Sequence, residues 1–140
     1  MGDSIKLHYD VSGTDFTLAG AASSDVKRTL KQLGISPSAI RNVAIAMYEG
    51  EINMVIHAGG GEIDVEITES DINITLEDHG PGIENIELAM QEGYSTAPDN
   101  IRSLGFGAGM GLPNIKKYTD EFNIETQVGV GTKLLLKVNI

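Results

Sequence analysis

The sequence predicts an α+β sandwich in which helices and mainly antiparallel strands segregate along the chain. Alternating apolar residues occur in paired segments separated by turn signals, and two segments have a helical period with start and stop signals. The resulting order is β-β-α-α-β-β, a long glycine-rich loop, and then α-β-β. A length of 140 residues is typical of one domain, which is predicted to span 1–140.

Composition excludes several functional classes. The chain has no cysteine, which excludes a disulfide scaffold and a thiolate metal site. Its formal charge of −10, with no basic block, argues against a nucleic-acid partner. No apolar run approaches the roughly 18–20 residues that cross a bilayer, so we expect no membrane partner and a cytoplasmic location.

The first elements are a hairpin and a helix. Alternation over 5–11 and again over 16–18 predicts two paired strands. Ser23 or Ser24 is expected to cap the helix that follows, and Gly34 to end it.

A longer helix dominates the middle of the chain. It begins at Ser36-Pro37 and runs to about His57, where consecutive glycines stop it. The remaining predicted elements are strands around 63–67 and 72–76, a short helical stretch near 86–90, a helix from Leu112 that carries Ile115, Tyr118 and Phe122 inward, and strands around 124–128 and 133–138.

The long helix carries two stripes. The apolar one, expected to face the sheet, consists of Ala44, Ile45, Tyr48, Ile52, Val55 and Ile56. Glu49, Asn53 and His57 form a polar stripe at i, i+4 and i+8 along its margin. Half-buried polar groups need partners, but the stripe by itself fits a solvated flank as well as a site. By itself, His57 fits a helix C-terminal cation or a surface histidine.

Strand parity places two polar residues on the core face. Asp78 has the parity of the apolar residues in 72–76, and Thr132 has that of the apolar residues in 134–138. A core-facing carboxylate needs hydrogen-bond donors. The alternative is that the strand ends before Asp78, which then caps the following turn. An inward threonine commonly bonds its own backbone.

Glycines at alternate positions over 105–111 directly precede a helix. Such a loop brings backbone N–H groups close to a ligand, and the helix N-terminus favours an anion. In an acidic chain this is the best candidate phosphate site, although a glycine-rich surface loop gives the same pattern. The spacing fits neither a Walker A loop nor a Rossmann fingerprint.

Four motifs occur in a fixed order along the chain: Glu49-x-x-x-Asn53, Asp78-x-Gly80-x-Gly82, the glycines of 105–111, and Gly129-x-Gly131-Thr132. Together they resemble the N, G1, G2 and G3 boxes of the GHKL ATPase superfamily. The resemblance implies a two-layer α/β sandwich of the Bergerat type, with a mixed, mostly antiparallel sheet covered on one face by helices.

The compact chain, with no helix pair carrying a phospho-accepting histidine, is similar to the free-standing serine/threonine kinases of bacterial partner-switching systems. Segments 53–61 and 111–122 look closer to the stressosome switch kinase than to the anti-sigma factor kinases, which more often have Ala where this chain has Met54. His57, in contrast, is similar to the anti-sigma branch.

The resemblance implies ATP and Mg²⁺ as cofactors. Asp78 would accept a hydrogen bond from the adenine amino group, Thr132 would join the same water network, and Gly82 would let the backbone approach the ring. Asn53 would be the side-chain ligand of Mg²⁺, and Gly80 and His57 would belong to the nucleotide site. The phosphates would lie against the backbone of Gly105, Gly107, Gly109, Met110, Gly111 and Leu112.

Two further residues carry the implied chemistry. Glu49 would be the general base for a serine or threonine hydroxyl, and Arg102 would lie near the γ-phosphate. The implied substrate is a STAS-domain antagonist, with a sigma factor or the regulatory domain of a PP2C-type phosphatase as alternative partner, and with homodimers left open. The competing hypotheses are a nucleotide-dependent sequestering module with little or no kinase activity and a detached histidine-kinase catalytic domain.

Overall fold

A computed structural model describes residues 4–14, 19–90 and 111–140 of the chain. Within these ranges the strands are β1 (Ile5–Ser12), β2 (Gly60–Ile67), β3 (Asp71–Asp78), β4 (Glu121–Gln127) and β5 (Gly131–Asn139). The helices are α1 (Ala21–Gln32), α2 (Pro37–Ala58), α3 (Ile86–Ala89) and α4 (Gly111–Lys117). No helix of the described part is long and apolar enough to span a bilayer.

The five described strands form one sheet in the order β1-β2-β3-β5-β4. All neighbouring pairs are antiparallel, which confirms the α+β class, although these strands contribute no parallel pair to the mixed sheet that was expected. β1 pairs with β2, with Ile5 opposite Ile67. The predicted partner strand at 16–18 lies outside the described residues.

One face of the sheet packs against the helices. In β2, Ile63 and Val65 are buried whereas Asp64 between them is exposed, as expected when successive side chains alternate. The core between sheet and helices includes Val26, Leu30, Val43, Met47, Ile63, Val65, Ile72, Ile74, Leu76, Leu112, Ile115, Leu134, Leu136 and Val138. Burial of each large aliphatic side chain contributes about 1.5–3 kcal/mol.

The orientation of α2 differs from the prediction. Of the apolar stripe expected to face the sheet, only Ile52 and Val55 are buried, and Tyr48 is 39% exposed. The residues actually buried on α2 are Ala39, Ile40, Val43, Ala46, Met47, Gly50, Glu51, Ile52, Met54 and Val55. The reason is that α2 packs against α1 as well as the sheet, so its apolar surface is wider than one stripe.

Helix ends follow the predicted signals in part. Ser36 caps α2 by accepting from the Ala39 N–H, and the left-handed Gly34 follows α1. The N-cap of α1 is Gly20, not Ser23 or Ser24.

The C-terminal helix is shorter than predicted. It ends at Lys117, and Phe122 reaches the core from β4 instead. In β4 partly buried and exposed side chains alternate, starting with the partly buried Phe122. The prediction assigned Phe122 to the helix and overlooked this period of two.

Candidate functional site

The polar stripe of α2 lies in the second half of the helix. Glu49, Asn53 and His57 are all half-buried, so the stripe is neither a solvated flank nor part of the core. α2 packs against β3 and β5 on the sheet and against α4. These side chains therefore lie at the margin between the helical layer and the sheet.

Asp78 is the last residue of β3 and is half-buried opposite Thr132 of β5. Its Oδ1 accepts from the backbone N–H of Thr132 at 3.2 Å and of Gly80 at 3.0 Å. The strand therefore continues through Asp78 and does not end before it, and the same carboxylate also accepts a bond from the turn that follows. The hydrogen bonds given for Asp78 among the described residues engage Oδ1.

Two threonines support this end of the sheet. Thr132 is buried, and its Oγ1 lies 2.9 Å from Oγ1 of Thr126 on β4. Thr126 Oγ1 also accepts from the Ile83 N–H at 2.9 Å, so it fixes the segment after β3. The Thr132 hydroxyl is therefore bonded to a side chain of the neighbouring strand, whereas the alternative expected a bond to its own backbone. Thr126 was missed because a threonine on a strand has no distinguishing local signal.

The loop after Asp78 packs tightly on its surroundings. A Cβ at Gly80 would lie 2.6 Å from Cα of Ala58, the last residue of α2. Gly82 has φ +79°, and a Cβ there would lie 2.6 Å from the carbonyl oxygen of Gln127. Packing alone therefore requires glycine at both positions. The loop that carries these two glycines therefore packs against the C-terminal end of α2 on one side and against the β4–β5 turn on the other.

The glycine-rich segment is only partly described. Gly111 is the first residue of α4, and the Leu112 side chain is buried in the core, so Leu112 can offer a ligand only its backbone. The predicted site residues Arg102, Gly105, Gly107, Gly109 and Met110 lie outside the described residues.

The electrostatics of Glu49 and His57 differ from those of surface residues. Burial raises the pKa of Glu49, and a side-chain hydrogen bond from Asn114 on α4 partly offsets the rise. Burial lowers the pKa of His57 from its ordinary value of 6.5, which favours the neutral imidazole over a helix-terminal cation. Asn114 was missed because its contact joins two helices that are distant in sequence.

Glu51 is a second residue that sequence reasoning missed. Although it is only 1% exposed, its carboxylate accepts from the N–H groups of Gly20 (2.9 Å), Ala22 (3.2 Å) and Ser23 (2.9 Å) and from Ser23 Oγ (2.7 Å). It therefore caps α1 from a neighbouring helix. Met47 and Val55, at i−4 and i+4, share the helix face of Glu51 and are buried. This apolar spacing was the sequence signal that Glu51 is buried as well.

Comparison with known proteins identifies the family. Residues 14–138 match the model of the histidine kinase-like ATPase domain. An anti-sigma F factor of Clostridium novyi (strain NT) is 31% identical over 142 residues, covering 97% of this chain and 94% of that protein. The serine/threonine-protein kinase RsbT of Bacillus subtilis (strain 168) is 31% identical over 112 residues, covering 77% of this chain and 78% of that protein. The preference for the switch-kinase branch stays a prediction, because both branches match at this identity.

Solved structures support the fold. The RsbU and RsbW domains of Rv1364c from Mycobacterium tuberculosis match with a TM-score of 0.62 at 19% identity, over 96% of this chain and 31% of that chain. The SiaB-SiaC complex from Pseudomonas aeruginosa matches with a TM-score of 0.56 at 14% identity, over 96% and 89%. With the family match and two relatives above 30% identity, the chain belongs to the histidine kinase-like ATPase domain family, in the group that contains anti-sigma F factors and the kinase RsbT.

Proposed function

We propose that this chain is an ATP- and Mg²⁺-dependent serine/threonine protein kinase of a partner-switching system, acting as one cytoplasmic domain. The observation that carries the proposal is the half-buried Glu49, whose pKa is raised by burial and which lies one helical turn from Asn53. Family membership implies ATP use, and one relative is named a serine/threonine-protein kinase.

The base of ATP would lie against Asp78. Oδ1 is engaged by two backbone N–H groups, so Oδ2 would accept from the adenine amino group. A guanine base would place its carbonyl oxygen against Oδ2, so that two hydrogen-bond acceptors would face each other. The site would therefore select ATP over GTP. Thr132 would complete the contact through its hydroxyl, which is held by Thr126.

The phosphates and the metal would lie along α2 towards α4. The Asn53 side-chain oxygen suits Mg²⁺, which takes hard oxygen ligands and keeps several waters. The backbone of 105–112 would bind the phosphates, and Arg102 would lie near the γ-phosphate. When bound, Mg²⁺ neutralises charge that develops on the phosphate oxygens.

Glu49 would act as general base. The oxygen of a substrate serine or threonine hydroxyl forms a bond to the γ-phosphorus, the bond to the β–γ bridging oxygen breaks, and its electron pair leaves with ADP. The hydroxyl proton passes to the Glu49 carboxylate. Because burial raises the pKa of Glu49, its carboxylate is a stronger base than that of an exposed glutamate.

The proposed substrate is a STAS-domain antagonist, and the alternative partner is a sigma factor or a PP2C-type phosphatase regulatory domain. Support comes from relatives named anti-sigma F factors and from a structural match solved as the SiaB-SiaC complex. The anti-sigma name also favours a second candidate, a sequestering module that binds nucleotide and transfers phosphate slowly or not at all.

Incubation with γ-labelled ATP, Mg²⁺ and a panel of STAS-domain proteins tests the proposal. We expect label on a serine or threonine of at least one STAS protein, and none with the Glu49→Gln variant. Tight ATP binding without labelling of any panel member would support the sequestering module. Absence of ATP binding would overturn both candidates.

A further inference from the structure

One polar side chain of α4 is bonded to the proposed base. α4 is anchored by Leu112 and Ile115, both buried in the core, whereas Lys116 and Lys117 are exposed. Asn114 lies between the two anchors, is half-buried, and is hydrogen-bonded through its side chain to Glu49 of α2. Since both helices are fixed by the core, the bond joins two groups with little freedom to separate.

The direction of this bond follows from the chemistry of its two partners. An ionised carboxylate only accepts hydrogen bonds, whereas a carboxamide donates through its nitrogen. The bond lowers the pKa of Glu49, as expected when Asn114 donates to the ionised form. Burial acts in the opposite direction, so Asn114 stabilises the charged state that a general base must have before it accepts a proton.

We propose that Asn114 is a positioning residue for phosphoryl transfer: its carboxamide, fixed by the anchored α4, holds the Glu49 carboxylate in the orientation that accepts the substrate proton. This inference rests on the proposed function, because Asn114 acts only through Glu49. A general base contributes fully only when its geometry is held by neighbouring groups. Half-burial of both residues strengthens the bond by excluding part of the competing water.

Asn114→Leu removes the donor and keeps the branched shape of the side chain. We expect the rate of transfer to a STAS substrate to fall about 10- to 100-fold, with the dissociation constant for ATP within about twofold of the wild-type value. In a Glu49→Gln background the same change should have no further effect, because the group it positions is gone. Lys116→Gln, on the exposed side of α4, is the matched control and should leave the rate unchanged.

A second measurement keeps the test independent of catalysis. In ¹³C NMR titrations of the Glu49 side-chain carboxyl, Asn114→Leu should raise the pKa and shift the resonance, whereas Lys116→Gln should do neither. The proposal is overturned by an unchanged resonance, by an unchanged transfer rate, or by an equal loss in the Glu49→Gln background. If no STAS protein is labelled but the resonance shifts, the proposed function fails while the Asn114–Glu49 contact stands.

Discussion

Two carboxylates two residues apart on α2 have opposite surroundings. Glu51 is buried and accepts four hydrogen bonds from the N-cap and first turn of α1. Glu49 is half-buried, and among the described residues its side chain is hydrogen-bonded to Asn114. The difference teaches that a carboxylate buried with several donors can fasten two helices together, whereas a half-buried carboxylate with fewer donors suits the proposed role of a general base.

A helix makes this separation possible within a single turn. Residues two apart on a helix point about 200° apart, so Glu51 faces α1 while Glu49 faces away from it towards α4. One side of α2 therefore binds the start of α1 through Glu51, and a different side carries Glu49 and Asn53. Substitutions of Glu49 and Glu51 test whether these two sides are independent.

The largest expected effect is on catalysis. Glu49→Gln should lower the rate of phosphoryl transfer by about a hundred- to ten-thousand-fold, because the amide cannot accept the substrate proton. ATP affinity, measured by calorimetry, should stay within about a few-fold. Transfer at a rate comparable to wild type would show that Glu49 is not the base.

Removing the structural carboxylate should chiefly affect stability. Glu51→Ala leaves three N–H groups and a hydroxyl at the start of α1 without their acceptor, and we expect the free energy of unfolding to fall by about 3 kcal/mol. Urea denaturation measures this loss. The exposed Glu69→Ala is the matched control, with an expected change within about 0.5 kcal/mol. A loss of similar size in both variants would remove the distinction between the two glutamates.

Asp78 is intermediate between the two, since two backbone N–H groups engage its Oδ1 and Oδ2 is the oxygen proposed to accept from adenine. Asp78→Asn can keep Oδ1 for Gly80 and Thr132 while it replaces Oδ2 with a donor. We expect ATP affinity to fall about tenfold or more with little change in melting temperature. Unchanged affinity by calorimetry would refute the adenine contact.

The smallest effects concern pH and stability. The folded-state pKa of Glu49 is raised, so ionisation of Glu49 lowers the stability of the fold above its unfolded value near 4.5. The melting temperature of Glu49→Gln should therefore exceed that of wild type at pH 7 but not below pH 4.5.

The folded-state pKa of His57 is lowered, so stability should fall as the pH drops below about 6.5. His57→Gln should weaken that dependence. Melting curves from pH 4 to 8 that lack both trends would contradict the burial of these side chains.

Local rules allowed the sequence by itself to determine much of this protein. Alternation and helix signals fixed β2, β3, β5 and the ends of α2, and strand parity placed Asp78 and Thr132 on one face before their pairing was known. These features depend on periods of two or 3.6 residues and on backbone chemistry at single positions. The order of the four motifs further predicted the family.

Contacts between distant segments follow from how the chain packs and could not be predicted from local patterns. The cap that Glu51 provides for α1, the Asn114 bond to Glu49, and the support of Thr132 by Thr126 each join residues on different elements. The tertiary structure also decided which sides of α2 are buried, because α2 packs against α1 and the sheet together. The physical reason is that a helical period shows which residues share a face, whereas the neighbours of that face depend on how the whole chain packs.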